Sequence, residues 1–137
     1  MKMRSYNFCH TNTKNPGNNL GIFCLITGRP KLNGYELPEY EGDVDMSGYD
    51  TVFIGGPVWW GTYPQVMFTF FKKHANDLKG KTVIPITTHE GSGLANCVED
   101  VKDAFPGANV QKGFSIYGHE VRTEKKKVEK WLNGLGY

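Results

Sequence analysis

Thr51-Val-Phe-Ile-Gly-Gly-Pro-Val-Trp-Trp-Gly61 is the stretch of sequence that decides the fold. Its first four residues form a short apolar run that ends at Gly-Gly-Pro, which predicts a buried strand followed by a loop. Two adjacent tryptophans stand in that loop. Because open α/β sheets bind ligands at the carboxyl ends of their strands, these aromatic side chains occupy a position where a ligand site is expected.

A helix pattern and a second strand pattern follow this stretch. Pro64 suits a first helical turn, apolar residues recur on one face after it, and Gly80 closes the predicted helix. The run 82–87 is again apolar and predicts a second buried strand. It contains Pro85, which lacks a backbone N–H and normally argues against a central strand.

The alternation continues to the end of the sequence. The spacing over 94–105 predicts a helix with one buried stripe, a strand follows over 110–116, and a final helix places apolar residues of 121–135 on its inner face. Strand and helix therefore alternate three times. This order predicts an α/β fold in which a parallel sheet carries helices on its faces.

The first fifty residues are less regular. Segments 5–9 and 22–27 are plausible strands, but the twelve residues between them, 10–21, have loop composition. The crossover helix that parallel strands need is therefore expected to be absent or vestigial, which would leave one face of the sheet uncovered. Segment 36–50 has six acidic residues and no Lys or Arg, and we interpret it as an acidic surface loop.

Length and composition limit the possible classes of protein. The 137 residues suit one domain, 1–137, and 16 Lys plus Arg against 14 Asp plus Glu give no reason to expect nucleic acid or an anionic membrane as a partner. Three widely spaced cysteines and the absence of a signal-peptide pattern predict a cytoplasmic protein. The four histidines have no metal-ligand spacing, and no Arg follows any cysteine at the distance that a phosphatase loop requires.

Two glycine-rich loops are the candidate ligand site. Trp59 and Trp60 could stack on a planar ring, although they could equally well only cap the core. The second loop, around His89, also follows a predicted strand, so the two loops are expected to flank one crevice. Ser92 can be interpreted as the N-cap of the next helix, and a Ser-His-carboxylate hydrolase is poorly supported because no GxSxG motif is present.

The stretch 49–61, the motif Thr88-His-Glu-Gly-Ser-Gly-Leu94 and the pair Pro106-Gly107 together resemble the flavodoxin-like family of short FMN proteins. The resemblance covers about residues 50–135 and implies a three-layer sandwich whose five-stranded parallel sheet has the order 2-1-3-4-5, with the ligand at the point where the strand order reverses. It also implies FMN as the cofactor. The residues that would lie against the isoalloxazine are Pro57, Val58, Trp59, Trp60 and Gly61. The residues that would hold its pyrimidine side are Thr88, His89, Glu90 and Gly91.

The N-terminal segment departs from the pattern of this family. Residues 8–14 resemble the phosphate loop with its glycine deleted, so Thr11, Asn12 and Thr13 are the residues that would meet the FMN phosphate. The missing glycine restricts the turn, and the missing helix removes backbone amides from the anion site. We therefore expect weakened binding of the phosphate group.

The resemblance implies an FMN-binding electron-transfer protein with redox proteins as partners. Since the flavin carries the electrons, no catalytic residue is required and the protein is expected to be a carrier more than an enzyme. The alternative is an interaction module that has lost or weakened FMN binding and forms a homodimer through the uncovered sheet face. A flavin reductase that takes electrons from a nicotinamide ranks below both, because GxGxxG is absent.

Overall fold

The computed structural model describes residues 44–137 in full and the backbone of residues 13–15 and 18–24. The elements in chain order are β1 (Thr13–Asn15), β2 (Asn18–Cys24), β3 (Thr51–Pro57), α1 (Gln65–Lys73), β4 (Thr82–His89), α2 (Cys97–Ala104), β5 (Asn109–Val110), β6 (Phe114–Tyr117) and α3 (Lys125–Gly134). The predicted α/β class is confirmed. Among the described residues, no helix combines the length and apolar character that crossing a membrane requires.

The described strands form one mostly parallel sheet in the order β1-β2-β3-β4, with β5 and β6 both pairing with the outer edge of β4. Strands β2, β3, β4, β5 and β6 run parallel, and only β1 is antiparallel to its neighbour. The parallel core predicted from the alternation of strands and helices is therefore present. Segment 5–9, which was expected to be the first strand, lies outside the described residues.

The position of β2 differs from the predicted 2-1-3-4-5 order. Segment 22–27 was expected at the sheet edge, whereas Asn18–Cys24 pairs directly with β3, Leu20 opposite Thr51 and Cys24 opposite Gly55. Among the described strands, β1 lies next to β2 at the edge of the sheet, and only two residues connect it to β2. Such a short link permits only an antiparallel hairpin, because a parallel crossover needs a dozen residues or more. This is also why no crossover helix occurs between β1 and β2.

Pro85 lies in a central strand, and the pairing pattern shows how the sheet accommodates it. On one side β4 pairs with β3 along its whole length, with Pro85 opposite Ile54. On the other side the pairing stops after Val83 and resumes at Ile86. The single strand predicted over 110–116 is therefore divided into β5 and β6, and the missing N–H of Pro85 falls beside the gap between them.

Helices α1 and α2 cover one face of the sheet and enclose the main core. This core joins Val52, Ile54 and Val83 of the sheet to apolar side chains of both helices. Helix α1 ends at Lys73, where the N–H of His74 bonds to the carbonyl of Phe70, rather than continuing to Gly80 as predicted. The turns after it still bury Leu78 completely.

Helix α3 covers the opposite face and completes three layers. Side chains alternate between the faces of a strand, so Phe53 points away from the main core. Its ring contacts Trp131 and Tyr137 edge-on, at centroid distances of 5.8 and 5.9 Å. Val121 and Leu135, which were expected on the inner face of the last helix, lie just outside α3 and are 47% and 38% exposed.

One face of the sheet was predicted to lack a covering helix. In the described part of the chain, α3 covers the centre of the face that carries Phe53. Phe53 and Ile84 have exposed fractions of 0% and 1%, so α3 shields the centre of this face. The side chains of β2 lie outside the described residues, and the homodimer expected at that part of the sheet stays a prediction.

Candidate functional site

Two loops meet at the carboxyl edge of the parallel strands. The first follows β3 and the second follows β4, which are neighbours over seven residue pairs. The N–H of Val58 donates a hydrogen bond of 2.9 Å to the carbonyl oxygen of Thr88, so the backbones of the two loops remain joined beyond the regular ladder. The two loops that were expected to flank a crevice are therefore neighbours and are joined through their backbones.

The first loop is built around a tight turn over residues 59–62. The N–H of Trp59 donates to the carbonyl of Thr62 at 2.8 Å, and the reverse bond measures 3.3 Å. The two residues between them, Trp60 and Gly61, have φ angles of 56° and 83°. Positive φ at both central positions defines a type I′ turn, which normally selects Asn and Gly.

The backbone of Trp60 is strained, and its side chain does not pack in the core. A left-handed backbone costs a residue with a Cβ about 1–2 kcal/mol. The indole that sits on this backbone is 98% exposed, whereas that of Trp59 is half-buried. Strain that the fold tolerates without using the side chain in its core indicates a functional position.

Helix α2 holds this turn from one side. The N–H of Asn96 donates a hydrogen bond of 3.0 Å to the carbonyl oxygen of Gly61. The hydroxyl of Thr62 donates to a carboxylate oxygen of Asp100, one turn further along the helix. Both contacts join residues more than thirty positions apart in the sequence, which is why sequence patterns did not reveal them.

Tyr63 anchors the end of the first loop in the core. Its side chain is fully buried, and its hydroxyl lies 3.0 Å from the carbonyl oxygen of Ile54 and 3.2 Å from that of Ile86. A Cβ on Gly56 would lie 3.1 Å from the tyrosine ring, so the glycine makes room for it. Sequence reasoning missed this residue, because the only signal was a tyrosine between the glycine loop and Pro64.

The second loop also contains left-handed backbone. Gly91, Gly93 and Ala95 have φ angles of 137°, 62° and 44°. The hydroxyl of Thr87 closes the loop by donating to the carbonyl oxygen of Gly93 at 3.0 Å. Of the seven residues with positive φ in the described part of the chain, these three together with Trp60 and Gly61 lie in the two loops.

The half-buried His89 and the exposed Glu90 belong to a polar cluster at this edge. The N–H of Gly91 donates to Nδ1 of His89 at 2.9 Å, and the ring of Tyr117 lies 4.5 Å from the His89 ring. A carboxylate oxygen of Glu90 lies 3.1 Å from Nδ1 of His119. Tyr117 ends β6 and His119 lies in the 3₁₀ helix Gly118–Glu120 that follows, and no sequence motif pointed to either residue.

Helix α2 begins later than the sequence pattern suggested. Its N-cap is Asn96, so the interpretation of Ser92 as the N-cap is wrong. Residues 93–96 form turns, because the left-handed Gly93 and Ala95 prevent a regular helix from starting there. Ser92 is exposed, and its carbonyl accepts a bond from the N–H of Ala95.

Cys97 starts this helix and is chemically protected. The side chain is fully buried, and burial together with the nearby Asp100 carboxylate raises the pKa of the thiol from 9.0 to about 12. A thiol with such a pKa has almost no thiolate at neutral pH. It therefore serves as a small apolar core residue.

The structure brings nine of the twelve predicted site residues to one edge of the sheet. They are Pro57, Val58, Trp59, Trp60, Gly61, Thr88, His89, Glu90 and Gly91. Thr11 and Asn12 lie outside the described residues.

Thr13 is placed elsewhere by the sheet register. It pairs with Leu20, which in turn pairs with Thr51 at the amino end of β3. At about 3.3 Å per residue, this level of the sheet is roughly 20 Å from Pro57. The backbone of Thr13 is therefore not brought together with the two loops.

Comparison with known proteins gives the family of this chain. A family model described as flavodoxin matches residues 35–135, and no curated protein matches. A candidate flavoprotein from Bacteroides eggerthii is 34% identical with a TM-score of 0.57, the match covering 72% of this chain and 58% of that one. A candidate flavoprotein from Bacteroides uniformis is 31% identical with a TM-score of 0.60, over 72% of this chain and 60% of that one.

A flavoprotein from Lactobacillus acidophilus, solved in complex with FMN, is 27% identical over 64% of this chain and 57% of its own, with a TM-score of 0.49. The family match extends over well more than half of the sequence. The chain therefore belongs to the flavodoxin family, as its Gly-Gly-Pro-Val-Trp-Trp-Gly and Thr-His-Glu-Gly-Ser-Gly motifs indicated. It spans about three-fifths of the length of the solved proteins that it matches.

Proposed function

We propose that this chain binds FMN with the isoalloxazine ring against turn 59–62 and loop 88–93, and that it carries electrons between partner proteins. The observation that carries the proposal is the indole of Trp60, which is 98% exposed on a strained turn. An aromatic ring held in water at an energetic cost is suited to stack on another flat ring. Membership of the flavodoxin family supports a flavin as that ring.

The second loop supplies the polar contacts that such a ring needs. The pyrimidine side of a flavin presents N–H and carbonyl groups, which backbone atoms can approach closely where glycine removes the side chain. Gly91 and Gly93 provide this freedom in loop 88–93. The bond from Val58 to Thr88 joins the two walls before a ligand arrives, and such preorganisation lowers the entropy lost on binding.

The role of a carrier fits the side chains around the proposed ring site. FMN, when bound, itself accepts and donates the electrons, so the protein has to hold and shield the ring and needs no general base. Glu90 is exposed at this edge, and neither 57–62 nor 88–96 contains Lys or Arg. Negative charge near the ring disfavours the addition of an electron, so the potential of bound FMN is expected to be below that of free FMN.

The phosphate group of FMN is a separate part of the proposal. Thr11 and Asn12 stay the predicted phosphate residues, whereas the sheet register places the backbone of Thr13 at the level of Thr51, away from the two loops. The geometry of the described loops supports contacts with the ring alone. Riboflavin has the same ring without the phosphate. If the N-terminal segment contributes little, FMN and riboflavin bind with similar dissociation constants, and a double Thr11→Ala, Thr13→Ala variant binds both as the wild type does.

Flavin titration of the purified protein tests the proposal. We expect quenching of tryptophan fluorescence that saturates at micromolar FMN, together with a shifted visible spectrum of the flavin. Reduction of the complex followed by mixing with a one-electron acceptor protein then tests electron transfer. Absence of quenching and of any spectral shift at micromolar FMN would contradict flavin binding, and an inert reduced complex would contradict the carrier role alone.

A further inference from the structure

Asp100 is not part of the motifs that resemble the flavodoxin family. It nevertheless contacts the turn over residues 59–62, which we call the tryptophan turn. It lies in the first half of α2, where its side chain is partly buried and accepts the hydrogen bond of the Thr62 hydroxyl. Thr62 closes the type I′ turn through its backbone bonds to Trp59. One carboxylate on a helix is therefore bonded to the residue that ends the strained turn.

The turn needs such support because its own contacts are few. Trp60 and Gly61 are both left-handed, and the Trp60 side chain adds no packing since it is almost fully exposed. A single two-stranded hairpin is marginally stable in water unless it packs against the rest of the protein. A bond to a charged acceptor is about twice as strong as one between neutral groups, so the Asp100 contact is the strongest candidate for holding the turn closed.

Asp100 is also well placed to stay fixed. Its backbone N–H bonds to the carbonyl of Asn96 in the first turn of α2, and a carboxylate near a helix N-terminus is favoured by the helix dipole. The buried Cys97 and Val101 of the same helix pack in the main core. The position of the carboxylate is thus determined by the core and not by the loop that it contacts.

We propose that Asp100 is a positioning residue for the proposed flavin site. Through its hydrogen bond with Thr62 it keeps turn 59–62 in the geometry that exposes the Trp60 indole to the flavin ring. This inference rests on the proposed flavin site. Loss of the carboxylate releases the turn without removing any group that touches the flavin. We expect Asp100→Ala to weaken FMN binding about tenfold, which corresponds to about 1.4 kcal/mol.

The first experiment measures the turn without flavin. Backbone ¹⁵N relaxation in the flavin-free protein reports the order of the amides of Trp60 and Gly61. We expect their order parameters to fall in Asp100→Ala and to recover in Asp100→Asn, whose amide oxygen still accepts the Thr62 hydroxyl. Asp103→Ala, which removes an exposed acid from the same helix, is the control and leaves both amides ordered.

The second experiment measures FMN dissociation constants in a double-mutant cycle. If Asp100 acts through the indole, Asp100→Ala weakens binding about tenfold in the wild type and has little effect when Trp60 is already Ala. A merely structural role would weaken binding equally in both backgrounds. Thr62→Val should reproduce the loss and Thr62→Ser should not, which keeps the inference testable if Asp100→Ala folds poorly.

The outcomes separate this inference from the proposed function. Unchanged order parameters and an unchanged dissociation constant in Asp100→Ala would overturn the positioning role while the flavin site stands. A wild-type protein that binds no flavin would overturn the proposed function and, with it, the role of Asp100 toward a flavin. In that case the relaxation data would still report whether the carboxylate orders the turn.

Discussion

The hydroxyl of Tyr63 donates a hydrogen bond to the carbonyl oxygen of Ile54, 3.0 Å away inside the core. The same hydroxyl is 3.2 Å from the carbonyl oxygen of Ile86 on the neighbouring strand. One side chain therefore ties β3, β4 and the start of α1 together, directly beneath the tryptophan turn. Because this contact is buried, it links the stability of the sheet edge to the position of the first loop.

Removal of that hydroxyl should cost stability. Tyr63→Phe keeps the ring in place and loses one buried hydrogen bond, for which we expect about 1 kcal/mol of lost unfolding free energy. Urea unfolding followed by circular dichroism measures it. Tyr117→Phe removes the hydroxyl of an exposed tyrosine and should change stability by less than about 0.5 kcal/mol. Equal losses in the two variants would contradict the anchoring role of Tyr63.

The strain at Trp60 predicts opposite effects on stability and binding. Trp60→Gly removes the Cβ from a left-handed position, so we expect a gain of about 1 kcal/mol in unfolding free energy. Trp60→Ala keeps the strain and should show no such gain. Both variants lack the indole and should bind FMN at least about tenfold more weakly. Identical stability of the Gly and Ala variants would show that the turn is not strained.

The gap beside Pro85 leaves no room for a side chain at residue 113. A Cβ on Gly113 would lie 2.6 Å from the carbonyl oxygen of Pro85 and 2.8 Å from the side chain of Leu94. We expect Gly113→Ala to destabilise the protein by about 1–3 kcal/mol, as overpacked sites do. Gly48→Ala is the matched control, because a Cβ there meets nothing within 4 Å. Thermal unfolding of both variants compares them, and a neutral Gly113→Ala would mean that β5 and β6 shift freely.

Burial of Cys97 predicts a pH dependence of stability. The folded-state pKa is raised from 9.0 to about 12, so the folded protein holds this proton more tightly than the unfolded chain does. The contribution is fully present below pH 9.0 and is lost as the pH rises from there toward 12. The stability difference between the protein and its Cys97→Ala variant should therefore shrink over that range. A constant difference would contradict the raised pKa.

The same burial predicts slow reaction with thiol reagents. In a background with Cys9 and Cys24 replaced by Ser, Cys97 should react with a disulfide reagent at pH 8 only under denaturing conditions. The rate in native buffer then reports opening of α2 and not the chemistry of the thiol.

Local patterns predicted most of the parallel sheet. The runs 51–54 and 82–87 are apolar enough to identify buried strands, and the glycines after each strand identify the two loops that the structure places side by side. The neighbour of β3 could not be predicted, because it depends on the antiparallel hairpin of β1 and β2. Loop composition excludes a helix there but does not choose between strand orders.

The sequence by itself determined the α/β class and the flavodoxin family, and it predicted nine candidate site residues that the structure places at one edge of the sheet. Strand ends and glycine-rich loops are encoded within a few consecutive positions. Only the tertiary structure decided how those loops are held. The bonds from Tyr63 to Ile54, from Asn96 to Gly61 and from Thr62 to Asp100 join distant parts of the chain. The strain at Trp60 likewise depends on the backbone conformation that these contacts impose, which no local pattern of residues encodes.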